Sequence, residues 1–142
     1  MANEATIRNS LQIVKGELNY QSKPTSFLAD VSMASGVKGP TPGNILAALA
    51  GTDVDLSALG TPGLCRIQNL DATNYVTYGI WNGVDLYPLG ELLAGEVTIF
   101  RLARDIEEEY GTGTGTTGTA INKLRFRANT AACNVLVEAF EK

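Results

Sequence analysis

Histidine is absent from this chain. Its absence removes the usual general base and the commonest metal ligand together. Ser-His-Asp and Cys-His arrangements are excluded, and so is any zinc site that uses imidazole. Cysteine is scarce: Cys65 and Cys133 are the only two, too few for a four-thiolate site. Both lie in strand-like runs among apolar neighbours, which predicts buried free thiols; a disulfide would need the two strands to pack close together. Charge is low as well, with 18% Asp, Glu, Lys and Arg and a net charge of −4. No basic patch marks a nucleic-acid partner. The nearest thing to one is Lys123, Arg125 and Arg127, whose alternate spacing puts all three on one face of a strand, read as a solvated face. Long apolar runs are missing: none approaches the roughly 20 residues that cross a bilayer. Met1-Ala2-Asn3-Glu4 carries an acid with no apolar stretch behind it, so no secretory signal is read. The expectation is a soluble chain made in the cytosol, with no membrane partner and no direct contact with nucleic acid.

What is present is strand and turn chemistry. A chain of 142 residues can bury about two-thirds of its unfolded surface in one core. A single domain over residues 1–142 is expected. The most regular stretch runs from Thr61 to Arg104. Leu64 to Leu70, Tyr75 to Trp81 and Glu96 to Leu102 read as strands. Asp71 to Asn74 supplies side chains that bond their own backbone, Asn82-Gly83 is a strong hairpin signal, and Leu93-Ala94-Gly95 makes a further turn. The stretch reads as a meander of consecutive antiparallel strands. Within it Val76, Tyr78 and Ile80 face one way, and Tyr75, Thr77 and Trp81 the other. Glu96 to Leu102 is apolar on both faces, which predicts a central strand or one with a bulge.

Alternation continues on both sides. Ile7, Leu11 and Ile13 share one face of a strand between Ala5 and Lys15, and Gly16 ends it. Two or three strands are expected before Val31, one at an edge because of Pro24. Ser35 to Gly43 reads as turn chemistry. Asn44 to Ala50 fits either two helical turns capped by Asn44 or a strand buried on both faces; strand is favoured by its surroundings. Asp53 and Asp55 fall in a loop, where local backbone bonding is preferred to calcium binding. Near the end, Leu124, Phe126 and Ala128 face in while Lys123, Arg125 and Arg127 face out. Cys133, Val135, Val137 and Ala139 then share the inner face of the last strand.

Residues 105–120 form the one low-complexity stretch, an acidic run followed by Gly and Thr, read as a long flexible loop. Gly113, Gly115 and Gly118 match the dinucleotide fingerprint by letter, but an acidic run precedes them and a strand pattern follows, where the fingerprint needs a strand before and a helix after. Asp105, Glu107, Glu108 and Glu109 lack EF-hand spacing and read as a solvated loop. Nothing selects a carboxylate pair for glycoside hydrolysis. No catalytic, cofactor-binding or metal-binding residue is assigned. Tyr75, Trp81 and Tyr87 suit a core or a subunit interface better than a sugar platform. Tyr75, Trp81, Tyr87 and Tyr110 are the candidate interface residues.

Several of these motifs together carry a resemblance. Ala50-Gly51-Thr52-Asp53-Val54-Asp55-Leu56, Thr61-Pro62-Gly63, Asn69 to Val76, Leu93-Ala94-Gly95-Glu96, Phe100-Arg101-Leu102 and Ala128-Asn129-Thr130-Ala131 resemble small structural proteins of tailed-bacteriophage virions. The likeness runs from Pro42 to the end, about two-thirds of the chain. It departs at Ala94, where the usual turn has proline, and it does not extend to the Gly/Thr loop. The resemblance implies a non-enzymatic virion component assembled in the host cytoplasm. A capsid decoration or cement protein is expected first, with a head–tail neck or tail component as the alternative. The implied partners are the major capsid protein or other virion proteins, and copies of the chain itself. A carbohydrate-binding module is the reading from another class. The fold expected is an all-β antiparallel sandwich, jelly-roll-like, with about eight or nine strands.

Overall fold

The structure, a computed structural model, describes residues 5–7, 12–15, 18–21, 29–31, 39–59, 61–103 and 123–141. The chain divides into two compact units, Met1–Ser35 and Gly36–Lys142. Every regular element among the described residues is a strand.

The first unit holds β1 (Ala5–Ile7), β2 (Gln12–Lys15), β3 (Leu18–Gln21) and β4 (Ala29–Val31). β2 and β3 form a hairpin in which Lys15 lies opposite Leu18, while β1 pairs antiparallel with β4. The alternation read as one strand from Ala5 to Lys15 is therefore shared between two strands in two sheets. Ile13 and Val14 are both exposed, so the pattern there is not expressed as burial. Pro24 lies outside the described residues.

The second unit has eight strands: β5 (Thr41–Ala47), β6 (Thr52–Asp53), β7 (Pro62–Asn69), β8 (Val76–Trp81), β9 (Leu86–Leu92), β10 (Val97–Arg101), β11 (Lys123–Ala128) and β12 (Cys133–Glu141). Their pairing is nested and antiparallel: β5 with β12, β6 with β11, β7 with β10 and β8 with β9. β7 also pairs with β12, and β8 with β11, which gives two four-stranded sheets ordered β10-β7-β12-β5 and β6-β11-β8-β9. A long hairpin rolled up so that its first strand meets its last is a jelly roll. The expected antiparallel sandwich is the fold of this unit.

The core lies between the two sheets. One sheet contributes Ala47, Cys65, Ile67, Val135, Val137 and Ala139; the other contributes Val76, Leu92, Leu124 and Phe126. The period of two along β11 and β12 explains this directly, since inward residues alternate with outward ones. Phe126, fully buried, is the largest side chain at the centre. Tyr78 and Phe100 stack across the sheets with ring centroids 5.9 Å apart. Cys65 and Cys133 are buried free thiols.

Four expectations are corrected. Thr61 to Arg104 is not a meander: β7 and β8 lie in different sheets, as do β9 and β10, and only β8–β9 is a hairpin. Short connections here cross from sheet to sheet instead of turning back beside the previous strand. β10 is an edge strand and not a central one, with Val97 and Ile99 outward at 50% and 38% exposure. β5 is the opposite edge, and only Ile45 and Ala47 pack against or within the core, so the strand expected over Asn44 to Ala50 ends at Ala47 and is half-buried, not buried on both faces. Thr41 to Gly43, read as turn, belongs to β5; Pro42 is tolerated because an edge strand leaves one side of its backbone unpaired.

The two crossovers share one pin. Asn69 is fully buried at the end of β7, and its Nδ2 donates to the carbonyls of Asn74, Leu92 and Leu93 at 2.8, 3.1 and 3.1 Å. Its Oδ1 accepts from the Asp71 N–H at 3.0 Å. One amide thus ties the β7–β8 connection to the β9–β10 connection. Asp71 Oδ1 in turn accepts from the N–H groups of Thr73 and Asn74 at 2.8 and 2.7 Å, the local backbone bonding read from the sequence. The β8–β9 turn spans four residues: Asn82 Oδ1 accepts from the N–H groups of Val84 and Asp85, and of the four only Gly83 takes positive φ. Between Tyr78 and Gly79 the β8–β9 register slips by a bulge. A Cβ on Gly79 would stand 2.1 Å from the Tyr87 carbonyl oxygen, so the bulge requires glycine there.

Candidate interaction surfaces

The sandwich presents two outer faces, and they differ in chemistry. On the β6-β11-β8-β9 sheet, Lys123 lies opposite Trp81, Arg125 opposite Gly79, and Arg127 opposite Thr77. Arg125 is held from three directions. Its guanidinium carbon sits 4.0 Å from the Trp81 ring centroid, its Nε lies 3.4 Å from Asp53 Oδ1, and its Nη2 donates to the Ala50 and Gly51 carbonyls at 3.4 and 3.5 Å. The same Asp53 accepts from Lys123 Nζ at 3.2 Å. The approach of Arg125 depends on Gly51, which has φ +96 and where a Cβ would stand 2.4 Å from Arg125 Nε. The row of cations is therefore more than a solvated face: two of the three are bound to Asp53. Asp53, expected in a loop, ends β6 opposite Arg125, whereas Asp55 bonds locally as expected, accepting from the Ser57 N–H at 2.9 Å. The Ser57 hydroxyl and then its N–H hold the Asp55 carboxyl below its ordinary range. Beside Arg125 lies a recess of about 250 Å³, with Trp81 and Leu86 apolar and Arg125, Arg127 and Asp85 charged along its walls.

The predicted interface aromatics are not brought together. Trp81 ends β8 and is half-buried beside Arg125. Tyr75 precedes the other end of β8, so the strand's length, roughly 20 Å, separates the two. Tyr87 is exposed on β9 opposite Ile80, so its side chain belongs to the other face from Trp81, and Asn82 Nδ2 donates to its hydroxyl at 3.2 Å. Tyr110 lies outside the described residues, as do the acids Asp105 to Glu109 and the Gly/Thr loop. Among the described residues no group of three or more Cys, Asp or Glu side chains converges as a metal site would require.

The outer face of the β10-β7-β12-β5 sheet is built differently. Its two central strands place Arg66 opposite Glu138, and their side chains form an ion pair at 2.5 Å. Arg66 also donates to Gln68 Oε1 at 2.8 Å. Ile99 lies beyond Arg66 and Pro42 beyond Glu138 in the same row. In the next row Val97, Gln68, Leu136 and Asn44 lie side by side. Leu46, exposed at 58%, extends the apolar area along β5. Alternation shows that Arg66 and Glu138 both point outward, but they are far apart in sequence, and nothing in it says that they meet. Asn69 gave no signal either, because a polar residue at a strand end reads as turn chemistry.

The interior offers no reactive thiol. Desolvation pushes the Cys65 thiol up to about 12, and burial together with the Asp71 charge raises that of Cys133. The N–H groups of Asn74 and then Thr73 hold the Asp71 carboxyl below its ordinary range. Comparisons of the chain with protein-family models, with curated proteins and with solved structures find no match.

Proposed function

We propose that this chain is a non-enzymatic structural protein of a tailed-phage virion, a decoration or cement protein that binds the assembled head through the major capsid protein and through its own copies. The observation that carries this reading is the outer face of the β10-β7-β12-β5 sheet, where an edge strand and its neighbours expose Val97, Ile99 and Leu46 around a single ion pair. The exposed apolar side chains suit contact with another protein, and a partner that re-pairs Arg66 and Glu138 offsets their desolvation. Jelly rolls also build viral capsids, although lectins and cupins share the architecture and a fold alone does not assign a role. The sequence resemblance between Pro42 and the end of the chain points the same way. Quantitative mass spectrometry of purified particles tests the reading. A copy number on the scale of the major capsid subunit supports decoration. A copy number on the scale of one ring favours a neck or tail component. Absence from the particle overturns both.

The recess beside Trp81 favours a second reading, a carbohydrate-binding sandwich. A recess walled by an indole, two arginines and a carboxylate can hold a sugar ring and bond its hydroxyls. Glycan-array binding that depends on Trp81 would support it, and an array without binding would remove it.

A further inference from the structure

The charges on the outer face of the β10-β7-β12-β5 sheet are arranged to suit a copy of themselves. Arg66 and Glu138 lie on β7 and β12, the two central strands, directly opposite one another. Each is about one-third exposed, so neither is committed to the interior. Ile99 on β10 and Pro42 on β5 flank them in the same row; Val97 and Leu136 lie in the next row and Leu46 one row further, while exposed Arg101 follows Ile99 along the outer edge. The geometry points to an isologous dimer in which this face meets the same face of a second copy, about a two-fold axis running along the strands between β7 and β12. This inference rests on the proposed role as an assembling structural protein and names the partner and the surface.

The axis follows from the charges. Rotation about it lays Arg66 over Glu138 of the second copy and Glu138 over Arg66 of the second copy. The four charges then alternate at the corners of a square, each with an opposite charge beside it in its own chain and another across the interface. The same rotation brings β10 over β5 of the second copy, so Ile99 meets the Pro42 position, Val97 meets Asn44 and Leu136 meets Gln68. An axis set across the strands through the same point would instead stack Arg66 on Arg66 and Glu138 on Glu138. The acceptable area is small. Four strands about 4.8 Å apart and about eight residues of 3.3 Å give roughly 500 Å² per copy. Two such faces bury about 1,000 Å², the lower end of specific interfaces, so the pairing is weak in solution and depends on concentration. The second outer face lacks this self-complementarity, because its cations share one strand and two of them are already bound to Asp53.

Charge reversal tests the axis. Sedimentation equilibrium is run on the full chain, on Arg66→Glu, on Glu138→Arg, and on an equimolar mixture of the two variants. The wild-type chain is expected to dimerise as concentration rises. Each variant alone carries two like charges on the face and is expected to dimerise at least tenfold more weakly. Mixed, the variants place opposite charges over one another at all four corners, and a one-to-one heterodimer is expected to return. A merely structural role for the ion pair would leave the mixture as weak as its components. Wild-type chain that stays monomeric at every concentration, variants that dimerise like wild type, or a mixture that does not associate would each overturn the proposal. Should either variant fail to fold by circular dichroism, Ile99→Lys on the exposed rim takes its place; it leaves the ion pair intact and is expected to weaken dimerisation, and unchanged dimerisation would overturn the proposal. A dimer in solution from a chain absent from particles would keep this interface and remove the virion role. A monomer in solution from a chain abundant in particles would do the reverse.

Discussion

The two outer faces of the sandwich arise from the same alternation along their strands, yet they spend their charges in opposite ways. On the β6-β11-β8-β9 sheet three cations lie on one strand, and Asp53, the Trp81 ring and the carbonyls of the Ala50–Gly51 turn occupy two of them. On the β10-β7-β12-β5 sheet one cation faces one anion at the centre, Arg101 lies exposed at the β10 edge, and the residues between are apolar or uncharged. Charges satisfied by the chain's own turn rigidify that turn and leave a polar surface. Covering a single ion pair amid apolar side chains desolvates two charges, a cost that the opposite charges of a second copy laid over them would offset. Outward alternation alone therefore does not make a solvated face; what the outward groups are bonded to decides.

The contrast holds only while both sheets keep their places, and the largest effect comes from removing what joins them. Asn69→Leu keeps the branched shape but removes the donors to the Asn74, Leu92 and Leu93 carbonyls and the acceptor of the Asp71 N–H; the Leu93 carbonyl keeps the Glu96 N–H. A loss of about 3 kcal/mol in chemical denaturation is expected. Gly79→Ala comes next and acts on the second face alone. The new Cβ meets the Tyr87 carbonyl, so β9 must shift, and overpacking of this kind costs about 1–3 kcal/mol. Under the proposed dimer, association of the folded fraction is unchanged, which sharpens the comparison. Arg125→Ala should cost about 1 kcal/mol, since a partly exposed cation–π contact is worth little. Its clearer readout is optical: Trp81 is the only tryptophan, so iodide quenching should rise when its cover is removed. The smallest effect concerns Asp71. Its folded-state carboxyl is held below the ordinary value, so its contribution is present above the unfolded carboxylate pKa, about 4, and is lost as pH falls through the folded value. The difference in Tm between wild type and Asp71→Ala should be present at pH 7 and disappear on acidification.

Much of the fold was legible. Leu124, Phe126 and Ala128 alternate with Lys123, Arg125 and Arg127, and the burial of β11 follows that alternation. The inner face of β12 was equally plain, as were the Asp71 turn and the buried thiols. Partner choice was not legible. A period of two says which side chains point inward, but not which strand lies alongside, and the short connection at Asp71 looks the same whether the chain turns back or crosses to the other sheet. β10 was misplaced for a related reason: Val97 and Ile99 are apolar on the outward side, and sequence alone takes apolar residues on both faces as burial within one chain. The interaction surface was legible least, because Arg66 and Glu138 become neighbours only through the β7–β12 pairing. Of the aromatic residues expected at an interface, Tyr75 precedes β8, Trp81 ends it and Tyr87 lies on β9, while Tyr110 is outside the described residues.

Hydrogen exchange followed at low and high protein concentration tests most directly which face pairs. The account predicts slower exchange at high concentration along the edge strands β10 and β5, with the hairpin from Trp81 to Leu92 unchanged. Slowing confined to that hairpin, with β10 and β5 unaffected, would contradict it and move the interface to the face of Trp81 and Arg125.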